Sequence, residues 1–159
     1  MDMSKLLDSF IKKNNGKFVE ESDPTNKNQC MDLIYPWCDI LGAPRECIRR
    51  LYAYQVYSLP TDLSIQYFEY IPNTPKGLPI AGDIAIFGKG VGPAGHICIA
   101  TGKSDYSKFE SFDQNWPTYS PCKKITHTYA GILGWLRIRD NSKVKELEDK
   151  LNKIKALVA

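Results

Sequence analysis

The chain holds 159 residues, 43% of them hydrophobic and 11% aromatic, and carries a formal net charge of +3. That length suits one domain with a short appendage, and the apolar content excludes a disordered polymer. So mild a charge argues against nucleic acid as the main partner, since that binding clusters Lys and Arg on one face; it is compatible with an anionic polymer as substrate.

No stretch reaches the ~20 consecutive apolar residues of a membrane span. Asp2, Lys5 and Asp8 interrupt the opening segment, where a signal peptide needs an unbroken apolar run. The sequence therefore predicts synthesis in the cytoplasm without a signal peptide, so that work outside would need a separate means of release. Residues 4–14 are predicted to form a helix: Leu6, Leu7, Phe10 and Ile11 share a face, and Gly16 sits where a helix stops. Residues 17–28 read as polar and irregular. A second helical stripe runs through Cys30, Leu33, Ile34, Trp37, Cys38 and Leu41, with Asn28 as N-cap and Gly42 as stop. Pro36 interrupts it and predicts a kink or a restart. A third helix is predicted from Pro44, a favoured first position, carrying Ile48, Leu51, Tyr52 and Val56.

The period then changes. Residues 64–71 alternate as a strand does, and a loop with Pro72, Pro75, Gly77 and Pro79 follows. Strand-like runs cover residues 83–87, 96–101 and 108–116, with another over 129–138. Gly88, Gly90, Gly92, Pro93 and Gly95 make the turn ahead of His96. Helices first and antiparallel strands after them predict an α+β domain over residues 1–140. Residues 141–159 are different. Val144, Leu147, Leu151, Ile154 and Val158 are spaced 3, 4, 3, 4, a heptad seam flanked by Lys and Glu. The seam is too short to be more than marginal alone. It fits two readings equally: a helix packed on its own domain, or a self-association helix or the start of a linker to a second module.

The five cysteines, Cys30, Cys38, Cys47, Cys98 and Cys122, are odd in number and lack CxxC spacing. Neither a disulfide framework nor a zinc site is expected, and most should be reduced, half-buried thiols. Cys30 stands apart by position. It falls in the first turn of the second helix, where free N–H groups and the helix dipole favour an anion, and the thiolate is the nucleophilic form of cysteine. A small core residue on the apolar stripe is the competing reading. His96 opens the run His96-Ile97-Cys98-Ile99-Ala100, in which alternation sets His96, Cys98 and Ala100 on one face. A histidine base needs one ring nitrogen free and a partner on the other. The second histidine, His127, sits among Lys124, Thr126 and Thr128 without a matching acid nearby, and reads as a satisfied surface or edge residue.

The partner for His96 is expected from residues 108–116. Alternation there sets Phe109, Ser111, Asp113 and Asn115 on one face and Glu110, Phe112, Gln114 and Trp116 on the other. Asp113, with the amide of Asn115 two residues on, can fix one imidazole tautomer and stabilise the imidazolium; a turn-forming Asp at a strand end is the competing reading. The order Cys, His, Asp on a helix followed by two strands is a papain-like arrangement of roles.

These residues resemble a known family. Gln29-Cys30-Met31-Asp32-Leu33 is similar to the nucleophile motif of CHAP domains, the cysteine, histidine-dependent amidohydrolase/peptidases. Gly82-Asp83-Ile84-Ala85-Ile86-Phe87 followed by Gly95-His96-Ile97-Cys98-Ile99 resembles their central hairpin. Asp113-Gln114-Asn115-Trp116 resembles the motif of the third and fourth active-site residues, and Gly134-Trp135-Leu136-Arg137 the closing strand. The resemblance spans about residues 15–139. It implies a papain-like fold and a peptidoglycan hydrolase, of the kind found in many bacteriophage lysins, that cuts the muramoyl–alanine amide or a bond of the stem or bridge peptide. It also implies roles: Cys30 as nucleophile, His96 as base and then acid, Asp113 as orienter, Asn115 as an assistant that positions His96 or polarises the site. The backbone N–H of Cys30 would donate to the oxyanion, with Gln29 as an accessory. The third position is often Glu in that family and is Asp113 here, and Pro36 and Trp37 are unusual inside the nucleophile helix. Some members bind calcium before the cysteine. Glu21, Asp23 and Asp32 match those positions, with the Thr25 and Lys27 carbonyls as further oxygen ligands. The glycine that turns such a loop is missing and Pro24 intervenes, so a solvated acidic loop competes with the calcium reading.

The expected partner is bacterial peptidoglycan, and the expected place of work is the cell wall, reached from the host cytoplasm or carried on a virion. Two other functions fit the residues: a cytosolic amidase on a small peptide conjugate, and a wall-binding structural component of a phage tail with weak or no activity.

Overall fold

Six strands form one antiparallel sheet in the computed structural model, which describes residues 2–21 and 27–159. They are β1 (Phe68–Pro72), β2 (Ile84–Phe87), β3 (His96–Ser104), β4 (Lys108–Asp113), β5 (Lys123–Thr128) and β6 (Ile132–Ile138). Their order across the sheet is β1-β6-β2-β3-β4-β5. Ahead of the sheet come α1 (Met3–Asn14) and α2 (Cys30–Leu41), then the short helices α3 (Gln55–Ser58) and α4 (Asp62–Tyr67); α5 (Ser142–Val158) closes the chain. The architecture is the expected α+β arrangement. Among the described residues no helix is long and apolar enough to cross a membrane.

The apolar stripe of α2 lies on the sheet. Leu33, Ile34, Trp37 and Cys38 have no exposed surface, and they share a core with Ile84, Ile86, Ile97, Ile99, Phe112 and Leu136 and with Leu7 and Phe10 of α1. Burying each such large side chain stabilises the fold by roughly 1.5–3 kcal/mol, so α2 is held mainly by its face. Pro36 removes the N–H that would bond the carbonyl one turn back, yet α2 continues through it, anchored on both sides by buried residues and stopped at Gly42 in the left-handed region (φ 72°). Trp37 donates its indole N–H to the Gly82 carbonyl at 3.1 Å. On β3 the alternate residues Cys98 and Ala100 face a second cluster with Ala85, Phe87, Phe109, Ile132 and Trp135.

Three expectations are corrected, and the last helix is placed. The cap of α2 is Gln29, not Asn28; Asn28 has a φ of 60°, and Asp32 accepts the Gln29 N–H at 2.8 Å. No continuous helix follows Pro44: a 3₁₀ turn spans Arg45–Cys47, Leu51 is 81% exposed, and Arg50 satisfies the Leu59 and Arg49 carbonyls with its guanidinium in place of a helical ladder. Residues 64–71 divide. Thr61 caps α4 by accepting the Ser64 N–H, and strand geometry begins only at Phe68. Finally, α5 has no buried residue, and Val144, Leu147, Leu151 and Ile154 are 49–58% exposed. Its apolar seam is open to solvent.

Candidate active site

Cys30 is the first residue of α2, so its backbone N–H belongs to the helix start and has no acceptor within the helix. Three interactions fix this turn. Asp32, fully buried, accepts the backbone N–H of Gln29 (2.8 Å) and of Glu21 (3.4 Å). Gln114, also fully buried, donates its side-chain amide to the Gln29 carbonyl at 2.8 Å. The same amide donates to the Val19 carbonyl at 2.8 Å and accepts the Val19 N–H at 2.7 Å. One side chain at the end of β4 thereby clamps the residue before the thiol.

His96 opens β3 directly after Gly95, whose φ of 68° and contact with the Phe87 carbonyl leave no room for a Cβ. The imidazole is 3% exposed, 4.8 Å from the Trp116 ring and 5.7 Å from Phe87. Asp113, the last residue of β4, is fully buried, and its Oδ2 accepts from His96 Nε2 at 2.8 Å. Because Nε2 is engaged there, Nδ1 is the ring nitrogen left to serve the neighbouring Cys30. Ser111 Oγ donates to Asp113 Oδ1.

The electrostatics follow from these contacts. Burial works against a charged His96, but the hydrogen bond to Asp113 and the proximity of Cys30, together with their charges, raise its pKa to about 9. Burial would raise Asp113; the two imidazole N–H groups that bond it outweigh burial and hold it below the usual carboxylate value. The other four thiols are disfavoured as thiolates. Burial pushes Cys122 up to about 11 and raises Cys38, Cys47 and Cys98 as well. Cys30 alone is half-buried rather than buried.

Of the expected residues, the structure brings Cys30, His96 and Asp113 together. It places two others differently. Asn115 does not extend β4; with a φ of 62° it starts a turn in which its Oδ1 accepts the Tyr119 N–H at 2.6 Å. Asn tolerates that backbone conformation well, and among the described residues its side chain makes no hydrogen bond to His96. The Gln29 side chain donates to the Lys27 carbonyl at 3.0 Å, and its backbone carbonyl takes the Gln114 amide. A further participant is His127, which the sequence reading left without an acid: it is buried, and its Nε2 lies 2.9 Å from the same Asp113 Oδ2. Its signal was hidden because β5, a polar edge strand, was not expected. Once β5 is paired with β4, His127 stands opposite Phe109 and shares a face with Asp113.

Among the described residues, Asp32 accepts backbone N–H groups on both oxygens, and Glu21 pairs with the Arg45 guanidinium at 2.9 Å. Asp23 and Thr25 lie outside the described residues. The donor atoms of His96, Cys98 and Asp113 converge within 4.8 Å. Both Asp113 oxygens are already taken by N–H and O–H donors, and burial keeps Cys98 protonated.

The chain is similar in structure to the wild-type endolysin LysIME-EF1, with a TM-score of 0.65 and 29% sequence identity over 86% of this chain and 64% of that one. It is also similar to the crystal structure of Ly7917, with a TM-score of 0.61 and 13% identity over 87% of this chain and 63% of that one; at that identity the likeness concerns the fold. The chain therefore spans less than two thirds of the length of either. No family model and no curated protein matches the sequence.

Proposed function

We propose that this chain is a CHAP-type cysteine hydrolase that cleaves an amide or peptide bond of bacterial peptidoglycan. The observation that carries the reading is the alignment of a half-buried thiol at a helix start, one imidazole, and a buried carboxylate on the far nitrogen of that ring. The likeness to an endolysin favours wall peptide over other amides as the substrate.

In this scheme the Cys30 thiolate attacks the carbonyl carbon, and the new oxyanion takes a hydrogen bond from the backbone N–H of Cys30. His96, carrying the proton, gives it to the departing amine as the C–N bond breaks. Water then attacks the thioester with His96 as base, releasing the carboxylic acid and restoring the thiol. Asp113 stays ionised throughout and holds the ring so that Nδ1 faces the sulfur. The enzyme would work at the bacterial wall, freed from the host cytoplasm or carried on a virion.

The test is clearance of a purified cell-wall suspension by the wild type and by Cys30→Ala, with mass spectrometry of the released fragments. Clearance by the wild type with a new amine and carboxylate end in the fragments, and none by Cys30→Ala, is the expected result. Equal clearance by both would end the mechanism.

A further inference from the structure

Asp113 is shared. Its Oδ2 lies 2.8 Å from Nε2 of His96 and 2.9 Å from Nε2 of His127, and Ser111 occupies Oδ1. An ionised carboxylate has no proton to give, so both rings must donate through Nε2. His127 is held in place for this. It is 6% exposed and surrounded by rings, with Phe87 at 4.9 Å, Trp116 at 5.2 Å and Phe109 at 5.6 Å. An orienting acid needs one imidazole to orient; a second donor on the same oxygen, buried among aromatics, has no part in the scheme above.

We infer that His127 is a positioning residue: it locks the Asp113 carboxylate and draws off part of its negative charge, so that His96 gives up its proton more readily. The inference rests on the proposed roles of Cys30, His96 and Asp113. The physical chain is short. A carboxylate stabilises an imidazolium in proportion to the charge left on the bonded oxygen, and each further N–H donor on that oxygen reduces it. A general acid works best when its proton affinity lies near the working pH. Without His127, Asp113 would grip the His96 proton harder and slow its transfer to the leaving amine. The direction is the same whether His127 is neutral or charged, because both forms donate through Nε2. Among the described residues, the groups that face His96 are few. They are Cys30 from α2, Cys98 from β3 itself, and Asp113 from β4, with His127 from β5 reaching it through Asp113; Phe87 and Trp116 are uncharged.

The chain has two histidines, so ¹⁵N NMR reads each ring separately. In His127→Phe, which keeps an aromatic ring and removes the donor, the His96 titration midpoint should rise by about one pH unit. In His127→Gln, which restores an N–H donor, it should return most of the way. An unchanged or lowered midpoint in folded His127→Phe overturns the inference. The wild type supplies a check that needs no variant: His127 must show the Nε2–H form, and finding its proton on Nδ1 alone overturns the inference equally. None of these readouts uses substrate, so a protein that leaves cell walls intact would refute the peptidoglycan reading while leaving this one to stand or fall on its own.

Discussion

The corner around Asp113 and the C-terminal helix α5 are opposites in how they are held. At the corner, buried polar side chains spend their capacity on long-range partners: Asp113 takes three donors, Gln114 joins β4 to Val19 and Gln29, and Asp32 caps the helix that carries Cys30. Along α5 the seam of Leu147, Leu151 and Ile154 touches solvent, and the polar face offers a Lys150–Glu146 pair between exposed side chains. Such exposed pairs contribute little, whereas an unmatched buried polar group costs about 1–3 kcal/mol. Substitutions should therefore be severe at the corner and mild on the tail.

The largest effect is expected at Asp113. Asp113→Asn removes the charge that favours the His96 imidazolium and puts an amide among donors, so hydrolysis should fall by about 10²–10⁴-fold at neutral pH. The same carboxyl is held below its usual value, so its stabilising contribution is present above about pH 4 and is lost as pH falls through the depressed folded value. Acid unfolding should thus be shallower in Asp113→Asn than in the wild type, as circular dichroism against pH would register. An unaltered rate would place the orienting charge elsewhere.

An intermediate effect is expected at Gln114. Gln114→Leu leaves both Val19 backbone groups without their partner and the Gln29 carbonyl with the Asp32 N–H alone, a loss of about 2–4 kcal/mol in denaturant unfolding. The Cys30 turn should loosen with it, lowering turnover more than substrate affinity. A variant as stable and as active as the wild type would contradict the clamp. The smallest effect is expected on α5, where Leu151→Glu should change stability by no more than about 0.5 kcal/mol. A loss of several kcal/mol would mean the seam is covered in solution.

This contrast also explains what the sequence made legible. Period alone located α1, α2 and most of the sheet, because Leu33 and Trp37 repeat at helix spacing, Ile97 and Ile99 at strand spacing, and all four meet in one core. It also brought out Cys30, His96 and Asp113, whose placement depends on a helix start and on strand parity. What it missed depends on partners distant in sequence. His127 finds its acid only through the β4–β5 ladder, and β5 lacks a continuous apolar face. Gln114 reads as an alternating strand residue until Val19 and Gln29 are folded against it. Asn115 breaks strand parity because its backbone enters the left-handed region. The seam of α5 has the same spacing as a buried one, and spacing cannot say whether anything covers it.

The claim on which the rest depends is that the Cys30 thiol is coupled to the His96 ring. Alkylation of the native protein by iodoacetamide, followed cysteine by cysteine with mass spectrometry at pH 6–7, tests it directly. Cys30 should react far faster than Cys38, Cys47, Cys98 and Cys122, and its rate should fall by about 10-fold or more in His96→Ala, with the other four unchanged. A Cys30 that reacts no faster than the buried thiols, or at the same rate without His96, would contradict the coupling and with it the enzyme.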